Sequence, residues 1–228
     1  MKIAEIYRSI QGEGILTGTE SVFIRTSGCN LRCWFCDTPY ASWNPQGDDY
    51  SVNEIMERVS IWECRHVVLT GGEPMLFAEM IPLCNRLRAE NYHITIETAG
   101  TLFLPVECDL MSISPKTANS APNAIDHQRW HRRHERTRFA PQVINQLLDR
   151  YNYQMKFVID LEEDLQEIED YIRQFPNMSA SQVYLMPQGR TQPELDRVEA
   201  WLKPRCKQLN YQYCPRKQIE WFGAVKGT

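Results

Sequence analysis

No stretch of this chain approaches the ~18 consecutive apolar residues that a membrane-spanning helix needs. The N-terminus, Met1-Lys-Ile-Ala-Glu-Ile6, is without the apolar run and cleavage site of a secretory signal. Positive charge is not in excess either. Against 25 Lys and Arg stand 29 Asp and Glu, a net −4, so nothing draws the chain to nucleic acid in general. Eight cysteines in 228 residues are too few for a disulfide scaffold, and a reducing cytoplasm suits them. There is no internal repeat and no low-complexity linker. What remains is a globular composition, 43% apolar. The length admits one or two domains of about 150 residues, and a single α/β domain over 1–228 is the simpler choice.

One more absence is more specific. Cys29, Cys33 and Cys36 stand in a C-x3-C-x2-C spacing directly after the strand-like run Ser21-Val-Phe-Ile-Arg-Thr-Ser-Gly28, with no obvious fourth ligand. A structural zinc site closes its tetrahedron with four protein ligands, and a four-iron, four-sulfur cluster normally takes four thiolates. Three leave one metal corner open, as a centre that works on a bound substrate requires. Spacing and the missing ligand favour a cluster with an open iron. A zinc ion completed by His66, Asp37 or a remote cysteine is the alternative. A redox-sensing thiol group does not account for three cysteines within eight residues. Trp34, Phe35 and Trp43 interleave with the cysteines and could shield a cluster from water, or could be ordinary core aromatics. Asp37 and Thr38 offer hard oxygens suited to magnesium, or a helix cap. Cys64, Cys84 and Cys108 read as small buried apolar residues.

The elements alternate, as an α/β domain requires. Ser51-Val-Asn-Glu54 is a capping box opening a helix to about residue 64. Strands are expected at 66–70, 93–97, 109–113, 153–159 and 182–186. Helices are expected at 77–90, 141–150 and 193–207, and another, capped by Asp160-Leu-Glu-Glu163, runs to about 175. Parallel connections of this kind permit a closed barrel or an open sheet, and both gather function at the carboxyl edge.

Thr70-Gly-Gly-Glu-Pro74 ends the apolar strand His66-Val-Val-Leu-Thr70. Its glycines allow close backbone approach to a ligand, and the Glu73 carboxylate can accept from a cationic amine. With the cysteine loop before it, this segment resembles the radical S-adenosylmethionine superfamily. Ile6-Tyr-Arg-Ser-Ile-Gln-Gly-Glu-Gly14, Cys36-Asp-Thr38, Glu97-Thr-Ala-Gly-Thr101 and Ser114-Pro-Lys116 narrow the resemblance, over about residues 5–190, to the 7-carboxy-7-deazaguanine synthase family. The resemblance implies a partial, open (β/α)6-type barrel of the radical S-adenosylmethionine kind, in a compact version with a reduced helix set. It implies a [4Fe-4S] cluster on Cys29, Cys33 and Cys36. It further implies S-adenosylmethionine held near Phe35, Gly72, Glu73, Ser114, Lys116 and Gln188, and a magnesium ion on Thr38.

The implied reaction begins with one-electron cleavage of S-adenosylmethionine to a 5′-deoxyadenosyl radical. That radical takes hydrogen from C6 of 6-carboxy-5,6,7,8-tetrahydropterin, and ring contraction with loss of ammonia gives 7-carboxy-7-deazaguanine. The pterin is expected against Gln11, Gly12, Glu13, Gly14, Arg25, Thr70 and Glu97. Glu13 suits its guanidine-like edge, Arg25 suits its carboxylate as a bidentate fork, and Lys156 faces the same cavity. The family also implies an electron donor such as flavodoxin, a homodimer, and a place in queuosine or deazapurine biosynthesis. A glycyl-radical activase or a non-catalytic iron–sulfur module are the rival readings.

Two stretches stand apart. Residues 126–138, within an insertion at 117–140, pack three of the five histidines and five arginines around Trp130. This is a solvated insertion, a basic RNA contact or a lid; the acidic balance of the chain favours the first. The tail, 208–228, resembles the family's closing segment at Trp221-Phe-Gly223. Where the family has a substrate-contacting histidine, this chain has Gln218, which cannot carry a positive charge.

Overall fold

Side chains alternate faces along a β-strand, so the pairing register decides whether like residues line up across a sheet. Here they do. In the computed structural model, which describes residues 1–227, nine strands form one sheet in the order β3-β1-β2-β4-β5-β6-β7-β8-β9. β1 (Lys2–Ile10) pairs antiparallel with β2 (Glu20–Thr26) and with the two-residue β3 (Asp48–Asp49). From β2 onward all pairs are parallel: β4 (His66–Gly71), β5 (His93–Thr98), β6 (Leu110–Ile113), β7 (Tyr153–Ile159), β8 (Val183–Pro187) and β9 (Gln212–Tyr213). The sheet is open, as expected of a partial barrel.

One face is apolar. Ile24 lies beside Leu69, Leu69 beside Ile96, Ile96 beside Met111, and Phe157 beside Leu185. All of these are buried. Helices α1 (Val52–Val59), α2 (Met80–Ala89), α4 (Pro141–Arg150), α5 (Asp164–Arg173) and α6 (Gln192–Leu209) contribute their buried residues to the same core. Each fully buried Leu, Ile or Phe contributes about 1.5–3 kcal/mol. The other face is polar. Arg25 lies beside Thr70, Glu97 beside Ser112, and Ser112 beside Gln154, with Lys156 two residues on. A polar row inside a parallel sheet is costly unless partnered. Its partners come partly from Gln11–Ile15, which crosses this face: Gln11 donates to Glu97 and the Ile15 amide to Gln154.

Expected elements hold to within a few residues, with physical reasons where they shift. The Ser51/Glu54 capping box opens α1. The helix expected from 77 begins at Met80, because a 3-10 turn, Pro74–Leu76, follows the glycines first. The cap expected from Asp160 is supplied instead by Asp164, whose Oδ2 accepts from the amides of Asp160 and Leu161. The β5–β6 connection carries no helix, so the helix set is reduced there. The tail adds β9 and α7 (Lys217–Phe222).

Residues 126–138 are not merely a solvated insertion. They fold as α3 (Gln128–Thr137) against the cysteine loop, with His134 only 1% exposed. The Arg32 amide donates to His134 Nδ1, and a backbone amide has no other role to offer. Nε2 therefore carries the proton and faces Ser120 Oγ at 2.9 Å, whose own proton goes to the Thr117 carbonyl. Burial, then Arg138, Lys116 and His131, hold His134 neutral, with its pKa down at about 4.

Candidate active site

The carboxyl ends of the parallel strands build the site. β2 ends at Thr26 and the chain turns into the cysteine loop. That loop is fastened at its base to the glycines after β4: Gly72 N–H donates to the Thr26 carbonyl and Glu73 N–H to the Gly28 carbonyl. A Cβ on Gly72 would lie 2.1 Å from the Gly28 oxygen and 2.6 Å from the Ala41 oxygen, so only glycine allows this approach. Trp43 Nε1 donates to the Cys33 carbonyl, and the Trp34 amide to the Ser120 carbonyl. Arg190 donates to the Cys36 carbonyl.

Two connected chambers lie at this edge. The smaller, about 180 Å³, is lined by Cys29, Cys33, Phe35, Cys36, Gly72, Ser114, Lys116, Lys156 and Gln188. Lys116 Nζ donates to Ser114 Oγ (2.7 Å) and to the Ser114 carbonyl. The larger, about 420 Å³, is lined by Glu5, Tyr7, Gln11, Gly12, Arg25, Tyr40, Gln218 and the tail residues 223–227, among others. Glu13, Asp37, Thr38, Thr70, Glu97 and Arg216 line both.

The shared wall is a network of charges. Glu13 Oε2 accepts from Lys156 Nζ (3.0 Å), and Oε1 from Arg216 Nε (3.2 Å) and Gln218 Nε2. Burial alone would raise the Glu13 pKa, but Lys156 and Arg216 outweigh it and hold the carboxyl at about 2. Lys156 is raised in turn: burial opposes its charge, and Glu13 and Glu97 more than restore it. Thr70 Oγ1 and Gln11 Nε2 donate to the two oxygens of Glu97. Arg216 also donates to the Gly189 carbonyl and to Asp37 Oδ2, both at 2.6 Å, which joins the tail to the β8–α6 turn and the cysteine loop. Arg25 donates through Nε to Glu5 (2.7 Å) and through Nη2 to the Tyr7 hydroxyl (2.9 Å).

Fifteen of the seventeen residues expected at the site line one chamber or both. Gly14 and Glu73 do not. Gly14 lies behind the wall at φ +73, where a Cβ would meet the Gln154 amide. Glu73 is fully buried, and its carboxylate accepts from Thr98 Oγ1, the Ala99 amide and the Met75 amide. It braces the turn to β5 rather than facing the cavity. Glu5, Tyr7, Tyr40 and Arg216 are additions, and Asp37, read from the sequence as a possible metal ligand, lines both chambers instead as the partner of Arg216. Glu5 and Tyr7 follow from β1, whose antiparallel pairing the motif reading did not use. Arg216 lies in a tail without periodicity and had no local signal.

The donor set suits a cluster rather than a single metal ion. Among the described residues, no three His, Cys, Asp or Glu side chains converge as one ion requires. His66 begins β4 at the amino end of the strands, its ring centroid 4.7 Å from that of His93, and Asp37 is taken by Arg216. A cuboidal cluster holds its thiolates farther apart than one ion does, and three thiols at one cavity wall fit it. Burial pushes the Cys29 and Cys33 thiols up to about 12, so without metal these two are neutral. Metal binding must then displace protons.

Residues 23–175 match the model of the radical SAM superfamily. The chain is 48% identical over 227 residues to the 7-carboxy-7-deazaguanine synthase of Rhodopirellula baltica, covering 99% of this chain and 88% of that one. It belongs to the 7-carboxy-7-deazaguanine synthase family of radical SAM proteins. The Halobacterium salinarum relative of the same name is 41% identical, over 96% of this chain and 89% of its own length. The crystal structure of QueE from Escherichia coli superposes with a TM-score of 0.70 over 94% of this chain and 92% of that one. At 20% identity that likeness speaks for the fold alone. Family membership sets aside the activase and carrier readings. Among the described residues no helix is long and apolar enough to cross a membrane.

Proposed function

We propose that this chain is a lyase that converts 6-carboxy-5,6,7,8-tetrahydropterin to 7-carboxy-7-deazaguanine with loss of ammonia, on the route to queuosine or other deazapurines. One observation carries the reading: a three-cysteine chamber opens directly onto a larger polar chamber through a wall of fixed charges. When bound at the cysteines, a [4Fe-4S] cluster and S-adenosylmethionine supply the radical that starts the reaction.

The chain's own residues bind, orient and exclude water. Lys116 and Ser114 offer a cation and a hydroxyl to the carboxylate of S-adenosylmethionine, with Gly72 admitting it closely and Phe35 and Gln188 beside it. In the larger chamber Arg25 is fixed by Glu5 and Tyr7, which aim its remaining Nη1 toward a substrate carboxylate. Glu13, ionised at neutral pH, accepts from the N–H edge of the pterin. Gln11 and Glu97 fix the ring from the sheet side, and Lys156 keeps both carboxylates neutralised. Thr38 Oγ1 lies where both chambers meet, and a magnesium ion there would keep most of its waters and take a substrate oxygen. Glycine at 12 is required because a Cβ would meet the Gln218 side chain at 2.2 Å. Arg216 supplies the tail charge that Gln218 lacks.

The chain works as one domain, residues 1–228, with 117–140 bracing the cysteine loop and 208–228 closing the larger chamber. A homodimer in the cytoplasm, reduced by a protein electron donor, completes the proposal. The test is an anaerobic turnover with reconstituted protein, S-adenosylmethionine and magnesium, with and without the carboxytetrahydropterin. Deazapurine formed only with substrate supports it. Adenosyl cleavage without deazapurine overturns the substrate assignment, and full cluster occupancy with neither product overturns the reaction.

A further inference from the structure

The proposed reaction leaves one conspicuous feature unused. Helix α3 presents Arg129, Arg132, Arg133 and Arg136 to solvent in a chain whose overall charge is −4. Among the described residues none of the four pairs with a carboxylate. The helix's own Glu135 pairs with Arg138, and Asp126 precedes the helix. Three guanidinium groups also crowd one ring: Arg32 lies 4.2 Å from the Trp130 centroid, Arg133 5.5 Å and Arg129 5.9 Å. Gathering like charges around one aromatic face without an anion costs electrostatic energy that an incoming anionic surface would recover.

The place of this patch is as telling as its charge. Arg32 stands between Cys29 and Cys33, and its guanidinium donates to the Cys29 and Leu31 carbonyls while it lies on Trp130. Trp34, between Cys33 and Cys36, is 50% exposed and donates to the Asn119 carbonyl. Exposed Trp and Arg are the side chains that anchor protein interfaces. The patch is therefore the outer wall of the loop that holds the cysteines.

We infer that the outer face of α3, with its exposed arginines, Trp130 and the neighbouring Trp34, is the docking surface for an acidic one-electron carrier protein. The inference rests on the radical reading of the cysteine site, which must gain an electron before it can act. In the step itself the reduced carrier loses one electron and the cysteine-held group gains it, and no bond forms or breaks. A charge-steered encounter brings the carrier to the outer wall of the cysteine loop. Nucleic acid is the less suitable occupant, because the patch is one short helix on an acidic chain.

The experiment compares wild type with Arg132→Glu/Arg136→Glu, two side chains that do not stack on Trp130, using reconstituted holoenzyme. Reduced flavodoxin, an acidic flavoprotein, is the probe, and dithionite is the chemical control. The readouts are the rate of cluster bleaching and the rate of deazapurine formation. The variant is expected to need about tenfold more flavodoxin for half-maximal bleaching, and to lose the salt dependence of wild type. Its dithionite-driven rates should be unchanged. Unchanged flavodoxin dependence overturns the docking surface, as does loss of binding to an unmodified tRNA transcript with flavodoxin dependence intact. A wild type that bleaches normally but makes no deazapurine with dithionite contradicts the reaction and leaves the docking result to stand on the bleaching rates. If the double variant loses its cluster, Arg133→Glu is measured in the same way, with the same outcomes deciding.

Discussion

Removing the His134 side chain should weaken the fold through its buried hydrogen bonds and the space its ring fills. His134→Ala takes the acceptor from the buried Arg32 amide, removes a donor from Ser120 Oγ, and leaves a cavity where the ring was. An orphaned buried amide costs about 1–3 kcal/mol and a truncation of this size about 2 kcal/mol more, so the expected loss is roughly 3–5 kcal/mol. His134→Asn keeps an acceptor near Nδ1 and should lose about half as much. The pH dependence separates hydrogen bonding from bulk. The folded pKa is about 4, below the ordinary 6.5, so between those values the unfolded state binds more protons. The stability is complete above pH 6.5 and is lost as pH falls toward 4. Between pH 8 and pH 5 the linkage is worth about 2 kcal/mol. The side chain is 1% exposed, so solvent screening does not reduce it. Urea unfolding of the metal-free protein under reducing conditions, at pH 8, 6.5 and 5, measures this directly. Wild type should lose about 2 kcal/mol relative to His134→Asn over that range. A constant difference from pH 8 to pH 5 would refute the neutral, amide-accepting histidine.

Other expectations concern the site. Cys33→Ala should abolish cluster assembly and activity together, whereas Cys84→Ala, buried on α2, should spare both at a cost near 1 kcal/mol, measured by iron content and turnover. Lys156→Met leaves Glu13 and Glu97 without their shared cation, so product formation should fall at least about a hundredfold while iron content stays near wild type. Equal activity would remove the charged wall from the account. Gly72→Ala should impair cluster binding, because its Cβ collides with the backbone of the cysteine loop, and iron content after reconstitution measures the loss. Arg216→Lys should raise the substrate KM about tenfold with cluster content unchanged, since a single ammonium cannot reach Glu13, Asp37 and Gly189 together.

Much of this was legible because local rules and tertiary structure agreed. The runs at 66–70, 93–97 and 153–159 are short and rich in buried residues, bounded by turns, and fold as the parallel strands they suggest. The cysteine loop and the glycines after β4 are neighbours in the fold because parallel pairing of β2 and β4 brings their carboxyl ends together. Other features could not be read locally. Glu73 looked like a ligand because its carboxylate can accept from a cationic amine and its Gly-Gly-Glu-Pro segment resembles the superfamily's, yet burial and three hydrogen bonds turn it inward. Residues 126–138 looked solvated because the chain is acidic overall, and no pattern along the chain marks His134 and Trp130 as the positions that meet the cysteine loop. Arg216 reaches Glu13 across 203 residues of sequence, which no local pattern encodes.

The central claim is that a substrate in the larger chamber meets S-adenosylmethionine in the smaller one across the Glu13–Lys156 wall. The most direct test uses carboxytetrahydropterin deuterated at C6, with reconstituted protein under anaerobic conditions. Deuterium is expected at the 5′ carbon of the adenosyl group, in 5′-deoxyadenosine or in recovered S-adenosylmethionine, whenever deazapurine forms. Deazapurine accompanied by fully unlabelled adenosyl species would contradict that claim.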